Sequence, residues 1–282
     1  ENLSQAPHVL RDMRDTFRLG RPPKEGHELS KDMEDYLFTN LLDMHCGSFM
    51  AQTSDELCSR KGVKREDADA FAVISHTRTA SSIDSGLFDE EIVSVETPNG
   101  TVGPRDEDHV VRGTDEESLS GLRAAFGPDS LVTAGNASGI NDGAAAVTLM
   151  SGDEAEKRKL QKLVSIKSWA SCGVEPSLMG TGPIPSSKKA LELAGWSVKD
   201  VDLFEINEAF AAQSLAVLKT LSIPEEKVNV NGGAIALGHP IGASGTRILV
   251  TLIHEMIKRD VKKGLATLCI GGGMGIAMCI ER

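Results

Sequence analysis

The sequence predicts an α/β fold, because short apolar segments alternate with amphipathic helical segments through its second half. We predict strands over residues 163–168, 201–206, 228–230, 265–270 and 275–280, and helices over residues 186–194, 208–221 and 243–259. Gly195 directly follows the first of these helices, as expected at a helix C-terminus. Several segments are joined by glycine-rich loops, and such loops can present polar side chains at strand ends.

The first part of the chain, up to about residue 138, has a different character. It is polar and rich in loops, and it contains no long apolar strand. From the spacing of apolar positions, helices are predicted over residues 31–42, 50–61 and 67–80. A chain of 282 residues is long enough for two packed units. We place the boundary between them near residue 138, shortly before an Ala- and Val-rich run begins.

The composition excludes several classes of protein. Hydrophobic residues make up 40% of the chain and charged residues 25%, which is typical of a globular protein with a true core. The net charge of -11 argues against nucleic-acid binding, although a few local Arg or Lys side chains can still hold an anionic ligand. No run approaches the ~20 apolar residues of a membrane span, so we expect no membrane insertion.

The five cysteines predict neither a disulfide framework nor a zinc site, because their spacing is irregular and contains no CxxC pair. They are Cys46, Cys58, Cys172, Cys269 and Cys279. We therefore expect a reducing compartment, cytoplasmic or mitochondrial, and not a secreted protein. No metal ligand set is indicated.

A first candidate site residue lies in the segment FEINEAF, residues 204–210. Asn207 falls where a predicted strand stops and a predicted helix starts. Asn is a good helix N-cap, so a structural role is one interpretation. The other is a functional amide at the end of a strand, where α/β folds build their sites.

A second candidate is the histidine in NGGAIALGHPIGASG, residues 231–245. Glycines surround His239, so the backbone can approach a ligand closely. Pro240 moves His239 away from helical geometry. A lone histidine is more often a hydrogen-bonded structural residue than a catalyst. Here the density of glycines makes the structural and the catalytic interpretation equally favoured.

The third candidate is the cysteine in CIGGGMG, residues 269–275. Cys269 ends a predicted apolar strand and faces a loop of backbone N–H groups. It is either a buried structural cysteine or a thiol, with an ordinary pKa of ~8.5, that transfers a proton beside an oxyanion site.

Together with TAGNASGINDG (133–143) and MGTGP (179–183), these segments resemble the thiolase family. The resemblance is nearly continuous over residues 132–282, looser over residues 1–127, and nearest to the acetyl-CoA C-acetyltransferase branch. The ketoacyl synthases share that fold but carry a second histidine where Cys269 stands, so the cysteine favours thiolase.

The resemblance implies the layered α-β-α-β-α thiolase fold in incomplete form. Residues 1–138 resemble its CoA-binding loop domain, residues 139–161 the returning part of its N-terminal half, and residues 162–282 its C-terminal half. The family's nucleophilic cysteine lies upstream of the segment that residues 1–7 resemble. We therefore expect an N-terminally truncated chain that is inactive alone. The family also implies a homo-oligomer, a dimer or tetramer.

The resemblance also implies roles for four residues. His239 matches the histidine that activates the nucleophile and polarises the thioester oxygen, and Asn207 matches the residue that holds the water of that oxyanion hole. Cys269 matches the second cysteine, which protonates the departing enolate. The Gly271 N–H matches a donor of the second oxyanion hole. The family needs no cofactor, since coenzyme A is substrate and product.

Positions that contact CoA or line the acyl pocket in the family are occupied here by Ser138, Phe126, Met50, Ala209 and Phe210. An Arg-His-Gly in the loop domain often holds the CoA phosphates. Here the sequence reads VVRG over residues 110–113, so Arg112 is displaced by one position and is a weaker candidate.

Two features disagree about the acyl chain. Met274, after the glycine triplet, resembles the acetoacetyl-CoA thiolases, whereas LDMHCGSFMA over residues 42–51 has Phe49 in place of the histidine that marks that branch. We expect reversible conversion of two acetyl-CoA into acetoacetyl-CoA and CoA. The alternatives are a 3-ketoacyl-CoA thiolase of broader chain length, or a non-catalytic fragment that binds CoA or a partner subunit.

Overall fold

The computed structural model describes residues 1–10, 33–104, 106 and 109–282. In those residues the α-helices are α1 Tyr36–Asn40, α2 Met50–Lys61, α3 Arg65–Asp84, α4 Glu116–Ser120, α5 Gly152–Lys157, α6 Pro183–Ala194, α7 Ala211–Leu221, α8 Ala234–Leu237 and α9 Ser244–Lys258. The strands are β1 His8–Leu10, β2 Met33–Asp35, β3 Leu42–Asp43, β4 Ser48–Phe49, β5 Val95–Thr97, β6 Gly100–Val102, β7 Ser165–Gly173, β8 Leu203–Ile206, β9 Lys263–Ile270 and β10 Met274–Glu281. Short 3-10 helices cover Leu3–Gln5, Pro176–Thr181, Val198–Asp200 and Glu225–Lys227.

The second half of the chain is built on a four-stranded mixed sheet in the order β7-β10-β9-β8. β8 and β9 are parallel, and the other two pairs are antiparallel. α6 packs on β7 and β10, and α9 packs on β8 and β9. The sheet is therefore a buried layer with helical cover, which explains why its central strands are apolar on both faces. The predicted α/β class is confirmed.

Two buried clusters cover the sheet. On α9 the side chains of Ile248, Leu252 and Met256 recur every four residues, so they share one helix face, and all three are fully buried against the sheet. Burying each such side chain contributes roughly 1.5–3 kcal/mol. The larger cluster joins α6 and α7 to the other parts of the sheet and reaches α3 through Phe71 and Ala72.

The first half of the chain packs on this body through its two long helices. α2 contacts α7, and α3 contacts both α7 and α8. Three two-stranded ribbons, β1–β2, β3–β4 and β5–β6, complete the part of the first half that the structure describes. The sequence-predicted helices over residues 50–61 and 67–80 are confirmed, and the second is longer, since α3 begins at Arg65 and ends at Asp84.

Three of the predicted elements differ from the structure. The helix expected over residues 31–42 is shorter in the structure and consists of α1 alone, because β2 precedes it and the Asp35 side chain caps its first turn. Residues 31 and 32 lie outside the described part of the chain. The strand expected over residues 228–230 is a single bridge between Val228 and Phe204. The helix expected from residue 208 begins at Ala211.

We predict that Gly275→Ala destabilises the fold. Gly275 in β10 faces the backbone of Gly182, where α6 begins, and a Cβ at position 275 would lie 2.2 Å from the Gly182 carbonyl carbon. Because that neighbour is backbone, relief requires α6 to move, and we expect a loss of about 2–3 kcal/mol in the free energy of unfolding. Denaturant unfolding measures it.

Gly152→Ala is the matched control. Gly152 begins α5 and a Cβ there meets no atom within 4 Å. Alanine is the better helix former, so stability is expected to stay constant or rise by up to ~1 kcal/mol. Equal unfolding midpoints for the two variants would contradict the close packing of α6 against β10.

Candidate active site

An apolar cavity of about 600 Å³ lies at one end of the sheet, between the first and second halves of the chain. Most of the residues singled out in the sequence line it together: Met50, Phe126, Ser138, Ala209, Phe210, His239, Cys269 and Gly271. Segments far apart in sequence thus converge on one space. This is the arrangement expected of a ligand site with few polar groups.

The sheet places the first two polar groups side by side. In the parallel pair β8–β9, Ile206 is opposite Thr267, and the Asn207 N–H donates to the Thr267 carbonyl at 3.0 Å. Cys269 follows in β9, where it is paired with Gly275 of β10. Asn207 and Cys269 therefore leave neighbouring strands at the same end of the sheet.

His239 lies between α8 and α9, and hydrogen bonds fix its ring on both sides. Nδ1 lies 2.5 Å from the Ser244 hydroxyl oxygen, and Nε2 lies 3.3 Å from the Asn207 amide nitrogen. The Ser244 hydroxyl donates its own proton to the Pro240 carbonyl at 2.9 Å. Nδ1 is therefore the protonated nitrogen and Nε2 is an acceptor. An imidazole in this tautomer can take a proton at Nε2.

Asn207 is a polar residue of the site and not a helix cap. It is fully buried, and α7 begins only at Ala211, with Phe210 at the N-cap position. The N-cap interpretation of Asn207 is therefore wrong. Its Oδ1 atom is buried and has no hydrogen-bond partner in the part of the chain that the structure describes. That oxygen can accept a hydrogen bond from a ligand.

Burial keeps the imidazole neutral. The pKa of His239 is lowered from 6.5 to about 4, first by burial and then by the positive charge of Arg247. Arg247 is itself paired with the buried Glu205 at 3.6 Å. Burial is also the main reason why the pKa of Glu205 is raised to about 8. At neutral pH His239 is thus a neutral imidazole, and its Nε2 lone pair accepts a hydrogen bond from the Asn207 amide.

Cys269 is likewise neutral. Its side chain is buried within the cavity wall, and burial raises the pKa of the thiol to about 12. The expected ordinary thiol pKa is therefore wrong, because the residue exposes little surface to water. A thiol with so high a pKa holds its proton at pH 7 and, once deprotonated, is a strong base. It suits proton transfer better than nucleophilic attack.

All five cysteines lie in the described part of the chain, and Cys269 alone among them lines the cavity. Cys58 is buried elsewhere, and its pKa is raised to about 11, mainly by burial. These 282 residues therefore place one thiol in the cavity.

Aromatic rings form one wall of the cavity. The Phe38 and Phe49 ring centroids are 4.8 Å apart, and those of Phe49 and Phe126 are 5.9 Å apart. Met50 and Met179 complete an apolar lining near the thiol. Tilted ring pairs at these separations are favourable, so the wall is fixed by its own packing as well as by burial.

A short antiparallel bridge joins two other walls. Ala137 is paired with Phe210, and both the N–H and the hydroxyl of Ser138 donate to the Ala209 carbonyl, at 3.1 and 3.0 Å. The segment around Ser138 is therefore held directly against the start of α7. Both walls border the same space as His239.

Three residues from the sequence interpretation, Asn207, Arg112 and Met274, lie outside the cavity lining, and of these Asn207 is hydrogen-bonded to the lining residue His239. Arg112 is half exposed and forms an ion pair with Asp84 at 3.2 Å. Met274 is also about half exposed, although Gly271 and Gly272 of the preceding glycine triplet line the cavity. The structure therefore does not bring Arg112 or Met274 together with His239 and Cys269.

The sequence interpretation missed Ser244, Met179 and Phe38 as parts of the site. The usable signal was the position of Ser244, five residues beyond His239 at the first residue of α9, where a hydroxyl can reach the ring. Met179 and Phe38 stand in segments whose course across the cavity depends on tertiary packing.

The fold and the site define an α/β protein with a neutral imidazole and a neutral thiol in one apolar cavity. Residues 1–153 match the family model described as Thiolase, N-terminal domain, and residues 160–282 match the one described as Thiolase, C-terminal domain. The chain belongs to the thiolase family.

Curated relatives match over the whole chain. It is 50% identical to an acetyl-CoA acetyltransferase of Cupriavidus necator over 285 residues, covering 100% of this chain and 70% of the relative. It is 48% identical to an acetyl-CoA acetyltransferase of Chromobacterium violaceum, covering 71% of that protein. The chain thus spans about 70% of the length of the relatives it matches.

Solved structures share the fold. The acetyl-CoA acetyltransferase of Bacillus anthracis superposes with a TM-score of 0.90 and 42% identity, covering 99% of this chain and 69% of that chain. Human mitochondrial 3-ketoacyl-CoA thiolase in complex with CoA superposes with a TM-score of 0.88 and 39% identity, covering 100% of this chain and 69% of that chain. The thiolase fold expected from the sequence is confirmed.

Among the residues that the structure describes, no helix is both long and apolar enough to span a bilayer. Over the same residues, no group of three or more His, Cys, Asp and Glu side chains is arranged to hold a metal ion.

We predict that His239 makes folding sensitive to mild acid. Its pKa of about 4 lies below the unfolded value near 6.5, so below pH 6.5 the unfolded chain binds a proton that the folded chain refuses. Stability is therefore lost as the pH falls. Between pH 7 and pH 5 the loss due to this residue is expected to be about 2 kcal/mol.

The measurement compares the free energy of unfolding of the wild type and His239→Asn across this range. His76 and His254 also have lowered pKa values, and they are present in both proteins, so the difference isolates His239. Parallel curves for the two proteins would show that the imidazole is not buried as described.

Proposed function

We propose that this chain carries the acid/base half of a thiolase-type acyltransferase that interconverts two acetyl-CoA with acetoacetyl-CoA and CoA. The observation that carries the proposal is the convergence of a neutral imidazole, His239, and a neutral thiol, Cys269, on one apolar cavity. The names of the relatives, acetyl-CoA acetyltransferase, support the same reaction.

In thiolysis His239 receives the proton of the attacking thiol at Nε2, and the thiolate forms a bond to the ketone carbon. The bond between that carbon and the α-carbon breaks, and its electron pair remains on the α-carbon as the enolate of acetyl-CoA. Cys269 then donates its proton to that carbon, which completes the first product. The acyl group left on the thiol passes to CoA, whose thiol proton returns to Cys269, and the thiolate released by that transfer takes back the proton held by His239.

The physical properties of the two groups fit these steps. An imidazole whose Nδ1 proton is fixed by Ser244 has its lone pair at Nε2. A thiol with a pKa of about 12 keeps its proton until a stronger base, the enolate, forms beside it. In the condensation direction the same thiolate is basic enough to remove an α-proton. Each positioned proton transfer typically contributes 10²–10⁴ in rate.

Charge that develops on oxygen needs donors nearby. We assign the Gly271 N–H, at the cavity floor, to the oxyanion that forms on the ketone oxygen. The Asn207 amide, beside His239, is assigned to the thioester oxygen of acetyl-CoA, acting through a bound water. Each such donor is typically worth ~3 kcal/mol in the transition state.

We assign the CoA moiety of the substrate to the cavity walls that carry Ser138, Phe126, Met50, Ala209 and Phe210. Those walls belong to residues 1–138, taken as the loop domain, and to the start of α7 in residues 162–282, taken as the C-terminal half. Residues 139–161 connect the two. CoA is substrate and product, and the proposed chemistry requires no cofactor.

Arg112 is a weaker assignment for the CoA phosphates. Its guanidinium is already paired with Asp84, and the pair lies away from the cavity lining. Binding a phosphate there would require the ion pair to be exchanged for a second anion. Because the pair is exposed, that exchange is inexpensive.

A broader acyl range is the second candidate. The phenyl ring of Phe49, with its neighbours Phe38 and Phe126, gives the cavity a continuous apolar wall, which can receive an alkyl chain longer than that of acetoacetyl-CoA. The likeness to human mitochondrial 3-ketoacyl-CoA thiolase is consistent with this alternative.

We infer the oligomeric state and the compartment from the family. We propose that the working protein is a homo-oligomer, a dimer or tetramer, and that it acts in the cytoplasm or in mitochondria. The described helices include none that could span a bilayer, and mitochondrial and bacterial proteins are both among its relatives.

The test joins this chain to a thiol-bearing segment. We expect the 282-residue chain alone to show no thiolysis of acetoacetyl-CoA, because its cavity holds one thiol. A chimera in which the corresponding N-terminal segment of the Cupriavidus necator relative precedes residue 1 is expected to cleave acetoacetyl-CoA. Cys269→Ala in that chimera should lower kcat roughly 10²–10⁴-fold. Steady-state assays with CoA measure it.

Cys279→Ala in the chimera is the matched control, since Cys279 is buried in β10 away from the cavity and should leave kcat unchanged. Turnover by the chain alone, abolished by Cys269→Ala, would contradict the need for a second thiol. A folded, CoA-binding chimera without turnover would contradict the proposed reaction.

The same chimera separates the two substrate classes. If acetoacetyl-CoA is the substrate, kcat/KM should fall at least 10-fold for 3-ketohexanoyl-CoA and further for longer homologues. A flat or rising profile would assign the chain to the broader 3-ketoacyl-CoA thiolases. Phe49→His narrows the profile only in that second case.

A further inference from the structure

A buried carboxylate beside the site has no part in the proton transfers described above. Glu208 directly follows Asn207, and its side chain is almost completely buried. Its Oε2 atom accepts from the Ser75 hydroxyl at 2.6 Å and from the Ile235 N–H at 3.2 Å. Its Oε1 atom accepts from the Asn229 amide at 2.7 Å. Groups from three separate segments therefore meet on one carboxylate.

These donors are parts of the structure that holds His239. Ile235 lies in α8, the single turn that ends just before Gly238 and His239. Ser75 lies in α3, and its hydroxyl oxygen also accepts from the Gly233 N–H at 3.2 Å. The carboxylate and the serine thus fix both the start of α8 and the loop that precedes it.

The loop packs directly on the carboxylate. A Cβ at position 233 would lie 2.2 Å from the Glu208 Cδ atom, so only glycine allows this approach. Asn229 completes the contact from the other side, because its amide also bonds the backbone N–H and carbonyl of Ile206 at 2.9 and 2.8 Å. The end of β8 and the loop before α8 are therefore tied to one another through Glu208.

We propose that Glu208 is a positioning residue that sets the distance and tautomer of the Asn207–His239 pair. It acts from both ends: Asn207 precedes it in the chain, and α8, which it anchors, ends two residues before His239. It also connects α3, in the first half of the chain, to the second half. Its catalytic relevance rests on the proposed function, whereas its effect on the ring of His239 does not.

A carboxylate is needed because every group facing it is a donor. Glutamine at position 208 keeps the length, but its amide nitrogen must face either the Ile235 N–H or the Asn229 amide. Asn229 cannot turn over without losing its bond from the Ile206 N–H. One buried donor is thus left unpaired in either orientation, and the loop is expected to move away from the side chain.

The test uses nitrogen-15 NMR of the imidazole in the 282-residue chain. In the wild type we expect His239 in one tautomer, with Nδ1 protonated and Nε2 unprotonated at pH 7. Glu208→Gln should shift both ring nitrogens toward the averaged values of two exchanging tautomers. Ser75→Ala, which removes one donor, should produce a smaller shift in the same direction and serves if the glutamine variant does not fold.

Asp69→Asn is the matched control. Asp69 is also a buried carboxylate, on the same helix as Ser75, but it pairs with Arg65 and Asn136. It should lower the unfolding midpoint to a similar extent and leave the ring shifts of His239 unchanged. If Glu208→Gln and Ser75→Ala behave like this control, Glu208 has only a structural role and the proposal is overturned.

The chimera described above links the geometry to turnover. There Glu208→Gln is expected to lower kcat about 10–100-fold, with KM for CoA changed less than ~3-fold, because the donors that hold the carboxylate, Ser75, Asn229 and Ile235, do not line the cavity. A larger change in KM than in kcat would contradict the proposal. An inactive parent chimera combined with shifted ring signals would instead overturn the proposed reaction and leave the positioning role standing.

Discussion

The parallel pairing of β8 with β9 is the constraint on which the site depends. Because Ile206 is opposite Thr267, the backbone of Asn207 is bonded to β9 just before Cys269. The antiparallel return into β10 then carries the glycine triplet past the same point. Cys269 and the Gly271 backbone thereby reach one cavity, and the Asn207 amide meets His239, which lines the same cavity. A slip of one residue in this register would turn Cys269 to the opposite face of the sheet.

Burial gives the site its chemical character. Removing the imidazole and the thiol from water disfavours their charged forms, which lowers the pKa of His239 and raises that of Cys269. Both groups are consequently neutral at the same pH, one as a base and one as an acid. A neutral base and a neutral acid in one apolar space can exchange protons with a substrate, but neither is an activated nucleophile. The division between acid/base chemistry and nucleophile thus follows from the environment of these side chains.

Much of the site could be predicted because its residues occupy loops after strands, and such positions are visible in local sequence. The helices around residues 50–61, 186–194 and 243–259 were also found, since their apolar spacing is regular. The N-cap interpretation of Asn207 was wrong because nothing local reveals that the chain stays non-helical until Ala211. The thiol pKa was wrong because burial depends on packing between distant segments. Glu208 was overlooked for the same reason: its donors come from positions 75, 229 and 235.

The proposed function requires CoA to enter the cavity between the two halves of the chain, with its sulfur at the imidazole and the thiol. The most direct measurement is a crystal structure of the 282-residue chain with bound CoA. We predict that the CoA sulfur lies within contact distance of His239 Nε2 and Cys269 Sγ, and that the pantetheine chain runs along Phe126. CoA bound instead in the groove between α3 and α7, or a His239 ring turned away from Asn207, would contradict it.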